Sequence, residues 1–159
     1  MTARRKSTAA KAKSRPAKSR PRTGKRAAAR RDPAAELAAF ARTIVRVTTA
    51  GGDAHSHLAL YAPDVVSTEP GFPPAHGIAG LAEKANRWQE MQESVTWTPK
   101  TVGIDARSGT ICIEWDAQVK VRGGPTVPIA EVAIHRVKNG KIVAERYYYD
   151  PSILAPSPA

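Results

Sequence analysis

Cysteine occurs once, at Cys112, so the chain can close no intramolecular disulfide and can offer no thiolate metal cluster. A reducing compartment is therefore permitted. Apolar runs are interrupted by charges or prolines well before the roughly eighteen residues that a membrane helix needs, and no apolar stretch follows the basic start as a secretory signal would require. The expectation is a cytoplasmic protein without membrane contact. Residues 1–31 lack Asp and Glu, and also Leu, Ile, Val, Phe, Tyr and Trp, while holding thirteen Lys and Arg. A segment with so little to bury and so much to repel is expected to be a disordered basic arm. The rest of the chain has twelve basic and fourteen acidic residues, a net −2 against +11 for the whole. The positive charge therefore belongs to the arm.

Two further patterns are missing. There is no Gly-rich phosphate loop and no nucleophile elbow, and Gly51-Gly52 and Gly123-Gly124 read as a helix stop and a turn. His55, His57 and His76 have neither the spacing nor the acidic neighbours of a metal site, so no metal and no cofactor is expected.

What remains is one domain over residues 32–154, followed by a short flexible tail, 155–159. Asp32-Pro33 is a helix start, because Asp caps well and Pro at the first helical position loses no needed hydrogen bond. Leu37, Phe40, Ala41, Ile44 and Val47 then recur at helical spacing. Asp53 can cap a second, short helix through Leu58 and Tyr61, stopped by Pro63. A strand from Val65 to Glu69 follows, closed by the proline-rich loop Pro70 to Pro74. A third helix is expected from Ile78 to Glu93, with Ile78, Leu81, Ala82, Ala85 and Trp88 on one side.

After Ser94 the period changes to two. From Thr110 to Arg122, Ile111, Ile113, Trp115, Ala117, Val119 and Val121 alternate with polar residues, which predicts a strand with one buried face. Strands near Val95 to Ala106, Thr126 to Val137 and Lys141 to Asp150 complete a meander, with Asn139-Gly140 as a tight hairpin turn. Helices first and strands last predict an α+β fold, a curved and mainly antiparallel sheet wrapped around the N-terminal helices.

This order resembles the nuclear transport factor 2-like superfamily, especially its ketosteroid-isomerase and SnoaL-like members, over Pro33 to Ile153. The resemblance is carried by GDAHSHLALYAPDVVSTEPG, Gly52 to Gly71, and by KNGKIVAERYYYD, Lys138 to Asp150. It implies a cone-shaped fold holding a small apolar molecule, usually in a homodimer. It also implies that Glu69 occupies the position of the isomerases' general base. Their helix-borne Tyr falls near Ile44 or Val45, and their second, protonated acid falls near Ala133, with Glu131 one pleat away. Tuned carboxyl pKa values are central to that chemistry.

Read on their own residues, Glu69 sits at a strand-to-loop edge where a carboxylate can face a cavity and act as a base. His135 is the candidate partner near neutral pH. Phe72, Trp88 and Trp115 are candidate pocket walls, or plain core. A regular hairpin at Asn139-Gly140 would pair Glu131 with Tyr148, gathering Glu131, His135, Arg146, Tyr148 and Asp150 on one face. Val132, Ile134, Glu145, Tyr147 and Tyr149 would occupy the other, and a single bulge would exchange part of one set for the other. The isomerase alignment favours Tyr147 and Tyr149 towards the cavity, whereas the clustering of ionisable groups favours the opposite face.

The expected activity is proton transfer on an apolar carbonyl compound, as in an isomerase or cyclase. The alternative is a non-catalytic dimeric module whose arm, 1–31, contacts nucleic acid or another polyanion. Thirteen cations without aromatics would bind phosphates by counterion release, with little sequence preference. Filter binding at low salt is expected to give weaker nucleic-acid retention for a chain starting at Pro33 than for the full chain; equal retention removes that role from the arm.

Overall fold

The computed structural model describes residues 32–51 and 54–154. The expected arm and tail, and the cap expected at Asp53, lie outside the described residues. Helix α1 (Pro33–Thr49) begins where Asp32 Oδ1 accepts a hydrogen bond from the Ala34 amide at 3.0 Å, with Pro33 in the first turn. Leu37, Ala41 and Ile44 form its buried stripe. A 3₁₀ helix follows at Ala54–Leu60, and here the structure corrects the reading of the sequence. Pro63 stops no helix; it lies inside strand β1 (Tyr61–Thr68). The strand tolerates it because pairing with its neighbour shifts register between Tyr61 and Val66, so the absent N–H interrupts no regular ladder.

Glu69 comes one residue after β1. The proline-rich loop contains a two-residue strand, β2 (Ala75–His76), antiparallel to β1. Helix α2 (Gly77–Met91) ends earlier than the sequence pattern implied, since Gln92 and Glu93 already belong to β3 (Gln92–Asp105). Arg122 holds this helix end: its guanidinium donates to the carbonyls of Glu90 at 2.8 Å, Gln92 at 2.9 Å and Gln89 at 3.1 Å. Among the described residues, no helix is long and apolar enough to cross a membrane.

Strands β3, β4 (Thr110–Val121), β5 (Thr126–Lys138) and β6 (Lys141–Tyr148) form an antiparallel meander, and β1 joins β6 in parallel. The result is a six-stranded, curved and mainly antiparallel sheet in the order β2-β1-β6-β5-β4-β3, an α+β fold. The alternation expected in β4 holds, with Ile111, Ile113, Trp115, Ala117 and Val119 each at most 3% exposed. Burying an isoleucine this fully contributes about 1.5–3 kcal/mol. Helix α1 packs on β3 and α2 on β1 and β2, so the helices cover the inward face of the sheet.

The β5–β6 hairpin turns at Asn139 and Gly140, both at positive φ, 52° and 70°. Its pairing starts as the turn dictates, Lys138 with Lys141 and Val137 with Ile142. It then skips Val143, so that Arg136 faces Ala144 and His135 faces Glu145. This bulge corrects the regular register. Ile142 points inward before it, and Glu145, Tyr147 and Tyr149 point inward after it, joining Glu131, Ala133 and His135 from β5. Each face expected from sequence was half of the true one. Arg146 and Tyr148 point outward, and both are exposed. Inserting one alanine between Ala144 and Glu145 is expected to abolish cooperative unfolding followed by circular dichroism, because Arg146 and Tyr148 would be driven inward. Val143→Ala keeps the extra residue and is expected to cost no more than about 1–2 kcal/mol in a urea melt.

Candidate functional site

Between the helices and the inward face of the sheet lies a cavity of about 470 Å³. Every site residue read from the sequence borders it: Glu69 and Phe72 beyond β1, Trp88 on α2, Trp115 on β4, Glu131 and His135 on β5, Tyr147 on β6 and Tyr149 one residue past it. Their environments differ sharply. Phe72 sits at the rim, 45% exposed, with the Arg87 guanidinium 5.7 Å from its ring centroid. His135 is only 3% exposed and meets the Tyr147 ring edge-on at 6.3 Å.

One end of the cavity is aromatic. Trp97, which the sequence reading passed over, lies between Trp88 and Trp115, with ring centroids 6.3 and 5.9 Å away. Ile129 and Trp115 complete this wall from the sheet.

The other end is polar and centres on Glu145, a residue not singled out from the sequence. Ser67 donates to Glu145 Oε1 at 2.7 Å and the Tyr61 hydroxyl donates to Oε2 at 2.7 Å. His135 Nδ1 approaches Oε2 at 3.3 Å but is misaligned for a hydrogen bond, so that contact is electrostatic. Lys84 binds the group together. Its Nζ donates to Ser67 Oγ at 3.0 Å, lies 3.3 Å from Glu69 Oε2 and 3.9 Å from Glu145 Oε1, and stands 4.0 Å over the Tyr147 ring.

These contacts set the protonation states. Burial alone would raise Glu145, but His135, Lys84 and the Tyr61 hydroxyl outweigh it and hold its pKa at about 2. Burial, followed by the charge of Glu145, pushes the Tyr61 and Tyr147 hydroxyls well above their ordinary value, so both stay protonated. Tyr149 is pushed up to about 12 by burial and then by Glu69 and Glu131.

Glu131 behaves in the opposite way to Glu145. It faces Trp115 directly across the β4–β5 ladder, and no ion pair or hydrogen bond among the described residues engages its carboxyl. Burial raises its pKa to about 8; Lys84 opposes the rise, and Glu69 and Glu145 add to it. The cavity thus holds one ionised carboxylate locked in a polar cluster, one carboxyl that is neutral at neutral pH, and Glu69, one residue past β1 and 3.3 Å from Lys84.

Lys84 had a signal in the sequence: it stands three residues after Leu81 and four before Trp88, a lysine on the inward stripe of α2. Glu145 had one too: it shares strand parity with Tyr147 and Tyr149, which the isomerase alignment turned towards the cavity. Where the resemblance placed a hydroxyl, near Ile44 or Val45, the cavity wall is aliphatic, and the buried hydroxyls come from Tyr61 and Tyr147 instead. Among the described residues, no group of three His, Cys, Asp or Glu is arranged to hold a metal ion.

The model of the SnoaL-like domain family matches residues 40–145. None of the curated proteins matches the chain. Among solved structures, a protein from Mesorhizobium loti named as a SnoaL-like polyketide cyclase is 28% identical, with 71% of this chain and 98% of that one covered and a TM-score of 0.61. A protein with a ketosteroid isomerase-like fold from Catenulispora acidiphila, solved with trimethylamine, is 19% identical over 70% of this chain and 88% of that one, with a TM-score of 0.62. An LEH-like epoxide hydrolase from M. tuberculosis is 20% identical over 76% of this chain and 86% of that one, with a TM-score of 0.57.

Two pH effects on stability follow from the carboxyls. Glu145 has a folded pKa below its unfolded value, so its stabilisation is present above about pH 4.5 and is lost as pH falls towards 2. Glu131 is raised, so its contribution is full below about pH 4.5 and is lost as pH rises through 8. Urea melts are expected to find Glu145→Gln destabilised by about 3 kcal/mol at neutral pH, with a shallower acid limb. Glu131→Gln should instead flatten the decline between about pH 4.5 and 8.

Proposed function

The chain belongs to the SnoaL-like domain family, and from that premise we propose that it is an enzyme moving a proton on an apolar carbonyl compound held in the cavity. Glu69 is the base. Glu131, kept neutral, donates the hydrogen bond that stabilises the oxyanion. The observation that carries this reading is the pairing of two unlike carboxyls in one cavity: Glu131 beside Trp115 with its pKa raised to about 8, and Glu69 held against Lys84. A carboxyl kept protonated by burial can donate a hydrogen bond in the cavity where a second carboxyl takes the base role.

In the proposed step, Glu69 takes a proton from the carbon next to the carbonyl, the electron pair moves into the carbonyl oxygen as an enolate, and Glu131 donates its hydrogen bond to that oxygen. Glu69 then returns the proton to another carbon of a conjugated enolate, which is an isomerisation, or the enolate carbon attacks a second carbonyl carbon of the same molecule and Glu69 protonates the alkoxide formed there, which is a ring closure; neither changes the net atoms. A carboxylate is a weak base towards carbon, so the substrate's C–H is one acidified by a second carbonyl or a conjugated alkene. The aromatic wall of Trp88, Trp97 and Trp115 suits the apolar body of such a molecule.

His135 does not reach the reacting atoms in this scheme. It faces Glu145, Glu145 and Ser67 hold Lys84, and Lys84 orients Glu69; His135 is a positioning residue. Tyr147 supports Lys84 through its ring.

A thermal-shift and native mass-spectrometry screen of hydrophobic carbonyl compounds is expected to yield a ligand. On a compound that turns over, Glu69→Gln should lower kcat by at least about a hundredfold without loss of stability. Glu131→Leu should lower it by about 10²–10³. kcat/KM should fall above about pH 8 as Glu131 loses its proton. A bound ligand without turnover would leave a binding module, and full activity in Glu69→Gln would remove Glu69 as the base.

A further inference from the structure

Three carboxyls, Glu69, Glu131 and Glu145, border the cavity, and the cations around them are already committed. Lys84 on α2 lies within 4 Å of both Glu69 and Glu145. Arg87, one turn later, is at the rim over Phe72. His135 on β5 faces Glu145 on β6, and His57 of the 3₁₀ helix contacts Thr48 at 3.3 Å. Tyr61 of β1, Tyr147 of β6 and Tyr149 just past β6 are neutral phenols. No cation among the described residues pairs with Glu131.

Aromatic surface surrounds the same acid. Trp115 is its cross-strand partner. Trp97 and Trp88 continue from Trp115 with ring planes inclined by 71° and then 35°, so the recess is walled by rings facing different directions. Tyr148 pairs with Val132, which brings Tyr149 level with Glu131 at the end of β6. A half-buried, unpaired carboxyl across the ladder from Trp115 is short of one cation. Water solvates it poorly there, and the rings attract positive charge through their quadrupoles.

We propose that the cavity takes a second class of ligand, a small lipophilic ammonium ion, tertiary or quaternary, with its charge on Glu131 and its apolar body against Trp88, Trp97 and Trp115. This goes beyond the proton-transfer reading and stands without it. The ammonium ligand needs Glu131 ionised, whereas the carbonyl substrate needs it protonated. The two ligand classes therefore exclude each other, and amines of this kind inhibit whatever turnover the cavity supports. On binding, the proton on Glu131 leaves to solvent and the ligand's charge replaces it.

The test compares (4-hydroxymethylbenzyl)trimethylammonium with its neutral carbon isostere, 4-neopentylbenzyl alcohol, by isothermal titration calorimetry on the full chain. At about pH 9 the cation is expected to bind at least about tenfold more tightly than the isostere, and below about pH 8 its affinity should fall by about tenfold per pH unit. Titrations near neutral pH in buffers of different ionisation enthalpy should register release of about one proton. Glu131→Gln should bring the cation down to the affinity of the isostere while leaving the isostere's own binding in place, which shows that the cavity is intact. Equal affinities in the unmodified protein, failure of both probes to bind, or a preference that survives Glu131→Gln would overturn the proposal. A preference lost only in Glu69→Gln would overturn it too, by placing the charge elsewhere. Absence of turnover on carbonyl compounds would bear on the enzyme reading alone.

Discussion

One extra residue in β6, Val143, sets the direction of every side chain beyond it. Strand side chains alternate with a period of two, so skipping one residue reverses the parity of the rest of the strand. Ile142 stays in the apolar core, and Glu145, Tyr147 and Tyr149 turn to the cavity. A carboxylate delivered into the interior in this way is tolerable only if it is surrounded by donors and charge. Ser67, Tyr61, Lys84 and His135, from β1, α2 and β5, supply them. The bulge and this cluster are two halves of one arrangement: without the cluster the bulge would bury an unpaired charge, and without the bulge the cluster would have no anion.

Three glutamates border one cavity in three different local environments. Glu145 has two oxygens occupied by donors, and it ionises far below the usual carboxylate range despite burial. Glu131, two strand positions from Ala133 and four from His135, meets Trp115 and open cavity instead of donors, and burial dominates. Glu69 sits at the edge of the sheet with Lys84 beside it. Lys84 connects them all, lowering Glu131 as well as Glu145, so the charge states of the cavity are coupled through a single ammonium group.

Much of the scaffold was legible in the residues. The capping Asp32-Pro33, the strict alternation in β4 and the Asn139-Gly140 turn each carry a local reason for their conformation, and each appears in the structure as expected. Pro63 misled because a proline's missing donor matters only where a ladder would use it, and the β1–β6 pairing is irregular at that point. Gln92 and Glu93 continue a helical pattern by composition, yet they are drawn into β3 by pairing with β4. Glu69, Glu131, His135, Tyr147 and Tyr149 were visible as candidates on the sequence, but Glu145 was assigned no role there and Lys84 was hidden in a helix read only for its apolar positions.

Period, caps, turns and charge segregation are properties of neighbouring residues, and the sequence by itself therefore determined the order of the main elements, the α+β class, the inward face of β4 and the concentration of net positive charge in residues 1–31. The inward face of β6, the meeting of Glu145 with Lys84 and the isolation of Glu131 were decided only by the tertiary structure. Register past a bulge depends on which side chains the opposing strands and helices can accommodate. A carboxyl's proton affinity depends on what lies within a few ångströms, regardless of how far away that neighbour is along the chain.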